Sequence, residues 1–184
     1  LGDVLFSVGK IMDAIQKYNL VNKMNDHIPE VHLNLGHCYF YIENFTLAVE
    51  NYIKAIKLVK NTRHDYYYFL GNALVACMRI KDGIIAYQAA IKLKWNKLNY
   101  YYAIAKACYI EKLYLKGIKY LEKLFENEKN KNIVETDKDY TTNDALFLLY
   151  KLNISLPDVD YEKCTNIIKT LVRNEPKNVE YLEY

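Results

Sequence analysis

The sequence predicts an all-α protein built of stacked antiparallel helical hairpins, and three observations carry that expectation. An aliphatic residue followed by a small one recurs at Leu1-Gly2, Leu35-Gly36, Leu70-Gly71 and Ile104-Ala105, at intervals of 34, 35 and 34 residues. A fixed period in this range marks a repeat architecture, in which each unit buries its apolar face against its neighbours. Within each copy the apolar residues return at three- and four-residue steps, the spacing of one helix face. The 184 residues include only six Gly and three Pro, so little interrupts long helices.

Each copy carries two such stripes. In the best-marked one, His32, Leu35, Gly36 and Tyr39 form the first, and Ala48, Tyr52, Ala55 and Ile56 form the second. A second small anchor lies twelve residues beyond each pair, at Ala14, Ala48, Gly83 and Gly117. Tyr18, Tyr52, Tyr87 and Leu121 follow four residues later, then Val21, Ala55, Ala90 and Leu124 after three more. The small residues let the partner backbone approach closely, and short polar connectors such as "YIENF" and "RIKDG" separate the two helices. A tyrosine triplet opens the first helix of two successive copies, Tyr66 to Tyr68 and Tyr100 to Tyr102. Tyr67 and Tyr101 share the register of His32 and are expected in the core, with Tyr68 and Tyr102 on the inner side. After Phe125 the period breaks, and the charged "ENEKNKNIVETDKDYTTN" reads as an insertion or loop. Helical pattern returns in "DALFLLYKLNI", turns at Pro157, and resumes in "DYEKCTNIIKTLVRNEP" up to Pro176.

This spacing resembles the tetratricopeptide repeat (TPR), a 34-residue unit with a Leu-Gly pair, then Tyr, then Ala, an aromatic and another Ala. "LNLGHCYFYIENFTLAVENYIKAIKL" follows that pattern at nearly every anchor, although His32, Tyr67 and Tyr101 stand where the unit usually has Trp. The resemblance implies a right-handed superhelical solenoid. It is divided as a partial repeat over 1–28, repeats over 29–62, 63–97 and 98–126, a charged insert over 127–143, a degenerate hairpin over 144–177, and the opening of another repeat over 178–184. Both ends stop inside a repeat, so the chain is expected to be a piece of a longer array.

Composition excludes several functions. A net charge of +3 gives no reason to expect nucleic acid or an anionic membrane as the main partner. Outer-face lysines (Lys54, Lys57, Lys60, Lys92, Lys94, Lys116, Lys119, Lys123) are expected to be solvated, diluted by Glu50 and Glu122. No apolar run approaches the roughly 18 residues that span a bilayer, and the start does not read as a signal peptide. Cys38, Cys77, Cys108 and Cys164 form no CxxC pair, and a reducing intracellular setting is the simpler inference. His27, His32, His37 and His64 lack metal-binding spacing, and Asp137 and Asp139 read as solvated. No phosphate-cradling glycine loop, HExxH or nucleophile elbow is present, so neither an enzyme, a cofactor nor a small-molecule substrate is expected.

Binding of proteins is the function that remains, as extended peptides or as subunits of a large complex. The first helices are expected to line a groove with Leu33, His37, Phe40 and Tyr41, then Tyr68, Asn72 and Val75, then Tyr102, Lys106 and Tyr109. Aromatic side chains with polar tips give contact area at low entropic cost. The chaperone-tail clamp of some TPRs, made of Lys, Asn, Asn, Lys and Arg, finds only Asn72 and Lys106 as partial matches. An adaptor for chaperone or transport-factor peptides is therefore the alternative. Gly2, Val4, Leu5, Ala14, Val31, Leu33, Asn34, Leu35, His37, Tyr39, Ala48, Val49 and Tyr52 also resemble the later TPRs of the Paf-complex scaffold subunits. That resemblance implies a nuclear, non-enzymatic scaffold supporting elongation by RNA polymerase II.

Overall fold

The computed structural model describes residues 1–61, 63–129 and 139–183, and every regular element among them is a helix. The chain divides into two compact units, Leu1–Lys94 and Trp95–Tyr184. The first holds α1 (Gly2–Ser7), α2 (Ile11–Met24), α3 (Pro29–Tyr41), α4 (Phe45–Leu58), α5 (His64–Ala76) and α6 (Ile80–Leu93). These form three successive hairpins, α1–α2, α3–α4 and α5–α6, with α2 packed on α3 and α4 on α5. The second unit holds α7 (Leu98–Ile110), α8 (Tyr114–Lys129), α9 (Thr142–Ile154), α10 (Tyr161–Asn174) and α11 (Val179–Leu182). Here α7 pairs with α8 and α9 with α10, while α9 also packs on α7 and α8.

One packing device recurs in unit one. A Cβ added to Gly2, Gly36 or Gly71 would fall 2.6, 2.5 and 2.5 Å from a ring carbon of Tyr18, Tyr52 and Tyr87 respectively. Each tyrosine of the second helix thus lies flat against bare backbone of the first. Its hydroxyl then finds the side chain that follows the glycine. Tyr18 donates to Asp3, Tyr52 meets His37 Nδ1 at 2.9 Å, and Tyr87 donates to Asn72 Oδ1 at 2.7 Å. Burial pushes all three hydroxyl pKa values up. In unit two the same register holds Ala105 and Leu121, both fully buried.

The period also appears in the backbone. Gly9, Glu43, Met78 and Lys112, in the turns between paired helices, have φ of +78°, +60°, +60° and +58°. The residue after each donates its N–H to a carbonyl five positions back: Lys10 to Leu5, Asn44 to Tyr39, Arg79 to Leu74 and Leu113 to Cys108. A left-handed residue closing a helix in this way satisfies carbonyls the helix itself leaves open. Other ends are capped by side chains: Asn44 accepts from Leu47 N–H, Asp160 from Lys163 N–H, and Thr141 with Asp144 forms a capping box.

Two expectations are corrected. The charged stretch over 127–143 is helical at both ends, because α8 continues to Lys129 and α9 begins at Thr142. Its segment 130–138, including Asp137, lies outside the described residues, and Asp139 is exposed. In the first tyrosine triplet the fully buried ring is Tyr66, and Tyr67 is only half-buried. Val31, Tyr66 and Tyr100 share that register, and all three are core. His32 is buried, its Nε2 facing the Asp26 carbonyl at 3.0 Å and its Nδ1 facing Asn51 Oδ1 at 3.3 Å.

Candidate functional site

Unit one carries an open aromatic hollow of about 420 Å³, lined by Phe6, His37, Phe40, Tyr41, Tyr52, Phe69 and Asn72. The helices build it from their periodicity. His37 and Tyr41 lie one turn apart on α3, and Phe69 and Asn72 lie one turn apart on α5. His37 is wedged edge-on against Phe69, with ring centroids 4.5 Å apart at 89°, and against Tyr52 at 5.5 Å. Phe6 meets Tyr41 edge-on at 6.1 Å, and Tyr41 is 66% exposed.

Burial lowers the His37 pKa, against a weaker upward pull from Asp65, so the imidazole is neutral near pH 7. The Tyr52 hydroxyl lies 2.9 Å from Nδ1, a pair in which either group can donate according to the ring tautomer. The Tyr87 hydroxyl occupies Asn72 Oδ1 and leaves the amide N–H groups of Asn72 available as donors. The hollow therefore offers apolar walls, polar donors and no ionic charge. That combination suits an apolar or aromatic side chain whose flanking backbone carbonyls accept hydrogen bonds.

A second hollow, about 340 Å³, lies within unit two along α7 and α9, with Tyr102, Lys106 and Tyr109 on one wall. Asp144, Phe147, Lys151 and Glu180 form the other wall. Its charges are largely engaged. Lys151 sits 4.0 Å from the centre of the Phe147 ring and bonds Glu180 at 3.3 Å, while Asp144 is held by Thr141. Tyr102 stacks on Tyr140 at 4.6 Å, and Lys106 lies 5.6 Å over the Tyr102 ring.

The sequence-predicted groove residues thus divide three ways. His37, Phe40, Tyr41 and Asn72 meet in the first hollow, and Tyr102, Lys106 and Tyr109 meet in the second. Leu33, Tyr68 and Val75 line neither. Leu33 packs onto the unit-one core, Tyr68 lies against Phe69 and Tyr87, and Val75 contacts Gly83. Phe6, Tyr52 and Phe69 join the first hollow without having been singled out for it. Phe69 lies one turn before Asn72 on α5, whereas Phe147 joins the second hollow from α9, a helix on which no groove residue was expected. Among the described residues, no cluster of His, Cys, Asp or Glu is arranged to hold a metal ion, and no helix is long and apolar enough to cross a membrane.

No family model matches the chain. Dynein axonemal assembly factor 4 of Rattus norvegicus is 29% identical over 99 residues, which is 50% of this chain and 24% of that protein. BBSome complex member BBS4 of Bos taurus is 34% identical over 89 residues, 48% of this chain and 17% of that protein. The chain spans about a quarter or less of the length of these relatives. Among solved structures, YrrB, a TPR protein with an unusual peptide-binding site, superposes with a TM-score of 0.82 at 16% identity, covering 99% of this chain and 87% of that one. MamA gives a TM-score of 0.82 at 23% identity over 98% of both chains. PilF of Pseudomonas aeruginosa gives 0.73 at 16% identity, covering 100% of this chain and 77% of that one. The fold is that of a TPR array.

Proposed function

We propose that this chain is a non-enzymatic protein-interaction module whose unit-one hollow receives a neutral, apolar side chain of an extended partner segment. The observation that carries the proposal is the hollow's chemistry: seven lining residues, five of them Phe or Tyr, and none ionic near neutral pH. Tyr41 is exposed, and its ring meets Phe6 of the preceding hairpin. The fold supports the same view, since stacked hairpins present side chains of successive first helices along one surface. Both curated relatives are named for assemblies of other proteins, and YrrB is described by its peptide-binding site.

The test is selection of short peptides from a random display library on the purified chain, followed by fluorescence-polarisation titration. Selected peptides should carry an aromatic or aliphatic anchor and bind Tyr41→Ser or Phe69→Ala about tenfold more weakly, with helicity retained. Failure to select any peptide, or selected peptides indifferent to both variants, would refute the proposal.

A narrower reading places the module in the Paf complex, on the strength of the residues from Gly2 to Tyr52 that resemble its scaffold subunits. Affinity capture of the parent protein from its own cells tests that reading. Recovery of Paf subunits with the polymerase supports it, and recovery of chaperones or transport factors without polymerase favours the adaptor alternative.

A further inference from the structure

The turn side of unit two carries an open hollow whose lining combines apolar and basic side chains. Between α7 and α8, residues Lys112 to Lys116 face the α9–α10 turn (Ser155, Leu156, Pro157) across a hollow of about 530 Å³. Two leucines stand open on its wall: Leu115 is 65% exposed and Leu113 is 41% exposed. Two lysines, Lys112 and Lys116, also line it, and no carboxylate does. Glu111 and Asp158 flank the hollow in sequence without lining it. Neither lysine is in an ion pair among the described residues.

Of the three unit-one turns at this register, α3–α4 is the one with a side-chain cap. There Glu43 holds the left-handed position, and the Asn44 side chain caps α4 by accepting from Leu47 N–H at 3.3 Å. Thr46 follows, exposed. At the same register in unit two the chain has Lys112, Leu113 and Leu115. Leucine has no acceptor, so the first-turn N–H groups of the sixteen-residue α8 receive no cap from that position. The α1–α2 and α5–α6 turns likewise start their second helix without a side-chain cap, at Lys10 and Arg79, so what distinguishes this turn from α3–α4 is its pair of exposed leucines and a basic residue where Glu43 stands. Exposed leucines beside lysines that make no ion pair among the described residues form a surface complementary to a partner that is both apolar and acidic.

We propose that this turn hollow docks an acidic protein segment carrying a leucine- or phenylalanine-sized side chain. The side chain fills the space between Leu113 and Leu115 on one wall and Leu156 and Pro157 on the other. Flanking Asp or Glu residues pair with Lys112 and Lys116, where charge of one sign stands uncompensated. One carboxylate also takes the open N–H groups at the start of α8, supplying the cap that Leu113 lacks and meeting the positive end of the helix dipole. This site is separate from the unit-one hollow and demands the opposite chemistry of its partner, acidic where the other is neutral.

The probe is a fluorescein-labelled peptide of leucines interspersed with glutamate and aspartate, titrated with the 184-residue chain by fluorescence polarisation. Binding is expected, weakening as salt is raised. It should fall at least about tenfold in Lys112→Glu/Lys116→Glu and in Leu115→Ser. Lys54→Glu makes one such charge reversal on an exposed position elsewhere and should leave affinity unchanged, whereas Lys112→Glu alone should weaken binding. A peptide with alanine for leucine should bind at least about tenfold more weakly. Leu115 is largely exposed, so Leu115→Ser keeps the test alive if the double charge reversal loses helicity by circular dichroism. No binding by the acidic peptide, unchanged affinity in Leu115→Ser, or tighter capture of a labelled single-stranded oligonucleotide than of the peptide would each overturn the proposal.

Discussion

Gly36→Ala is the most informative single change, because its cost depends on one ring. The new Cβ would lie 2.5 and 2.6 Å from Tyr52 Cε1 and Cδ1, closer than non-bonded carbons can approach. Tyr52 is 2% exposed and its hydroxyl is tied to His37, so the ring has nowhere to retreat without breaking that bond. Overpacking of this kind costs about 1–3 kcal/mol. The better helix propensity of alanine returns about 1 kcal/mol, leaving a net loss of up to about 2 kcal/mol. Tyr52→Leu alone gives up a hydrogen bond worth about 1 kcal/mol and leaves unfilled space beside the bare glycine.

The double variant Gly36→Ala/Tyr52→Leu reproduces the pair that unit two already uses, Ala105 with Leu121, both fully buried. Its loss should therefore be smaller than the sum of the two single losses by at least about 1 kcal/mol, the size of coupling found between residues in contact. Urea unfolding followed by circular dichroism, with equal transition slopes across the four proteins, measures the cycle. Additive losses would show that the glycine is not there to admit the ring.

Three further predictions concern turns, protons and thiols. Glu43→Gly and Met78→Gly should each stabilise the chain by about 0.5–1 kcal/mol, since both residues hold a positive φ that glycine adopts without steric cost. A lowered unfolding midpoint in either would refute this. Burial lowers the His37 pKa, so the unfolded chain takes up the proton first; the associated stability is complete above the unfolded value of about 6.5 and is lost as pH falls below it toward the folded pKa. His37→Asn keeps an acceptor for Tyr52, as Asn72 does for Tyr87, and should flatten the decline in unfolding midpoint between about pH 7.5 and 5.5 relative to the parent. An unchanged slope would refute it. Burial pushes the Cys38 and Cys108 thiols up to about 11, so little thiolate exists at mild alkaline pH. Colorimetric thiol titration of the native chain should find Cys77, the one cysteine that is not buried, reacting first, and Cys77→Ser should remove that fast phase.

The helices and their pairing were legible because they repeat. Leu35, Gly36, Ala48 and Tyr52 recur at fixed offsets, and a period of 34 or 35 residues survives even where individual letters change. The turns were less legible for a chemical reason. Gly9 announces a left-handed residue, but Glu43, Met78 and Lys112 hold the same backbone shape with side chains that give no sign of it. The tyrosine triplet misled because three adjacent identical residues offer no polar contrast with which to choose the buried one. Of the residues lining the first hollow, His37, Phe40, Tyr41 and Asn72 were grouped from the sequence, while Phe69 was left out although it lies one turn before Asn72 on α5. The second hollow draws its other wall from α9 and α11, beyond the point where the period breaks and the register can be counted.

The residue after each small anchor links packing to surface chemistry. It is Asp3, His37, Asn72 and Lys106 in turn. The first three can accept a hydrogen bond, and each is bonded to the tyrosine fifteen residues further along, Tyr18, Tyr52 and Tyr87 in turn. An ammonium group accepts nothing. Where the chain has Lys106, it also has Leu121 in place of tyrosine and Ala105 in place of glycine, and the lysine stands exposed over the Tyr102 ring. A carboxylate, an imidazole and an amide can thus be exchanged at this position without disturbing the core, because the hydroxyl beneath asks only for an acceptor. A cation cannot, and the three changes occur together. The surface of the three unit-one hairpins is therefore varied at one position within a constraint set by the ring under it, and the packing stays constant while the exposed chemistry changes.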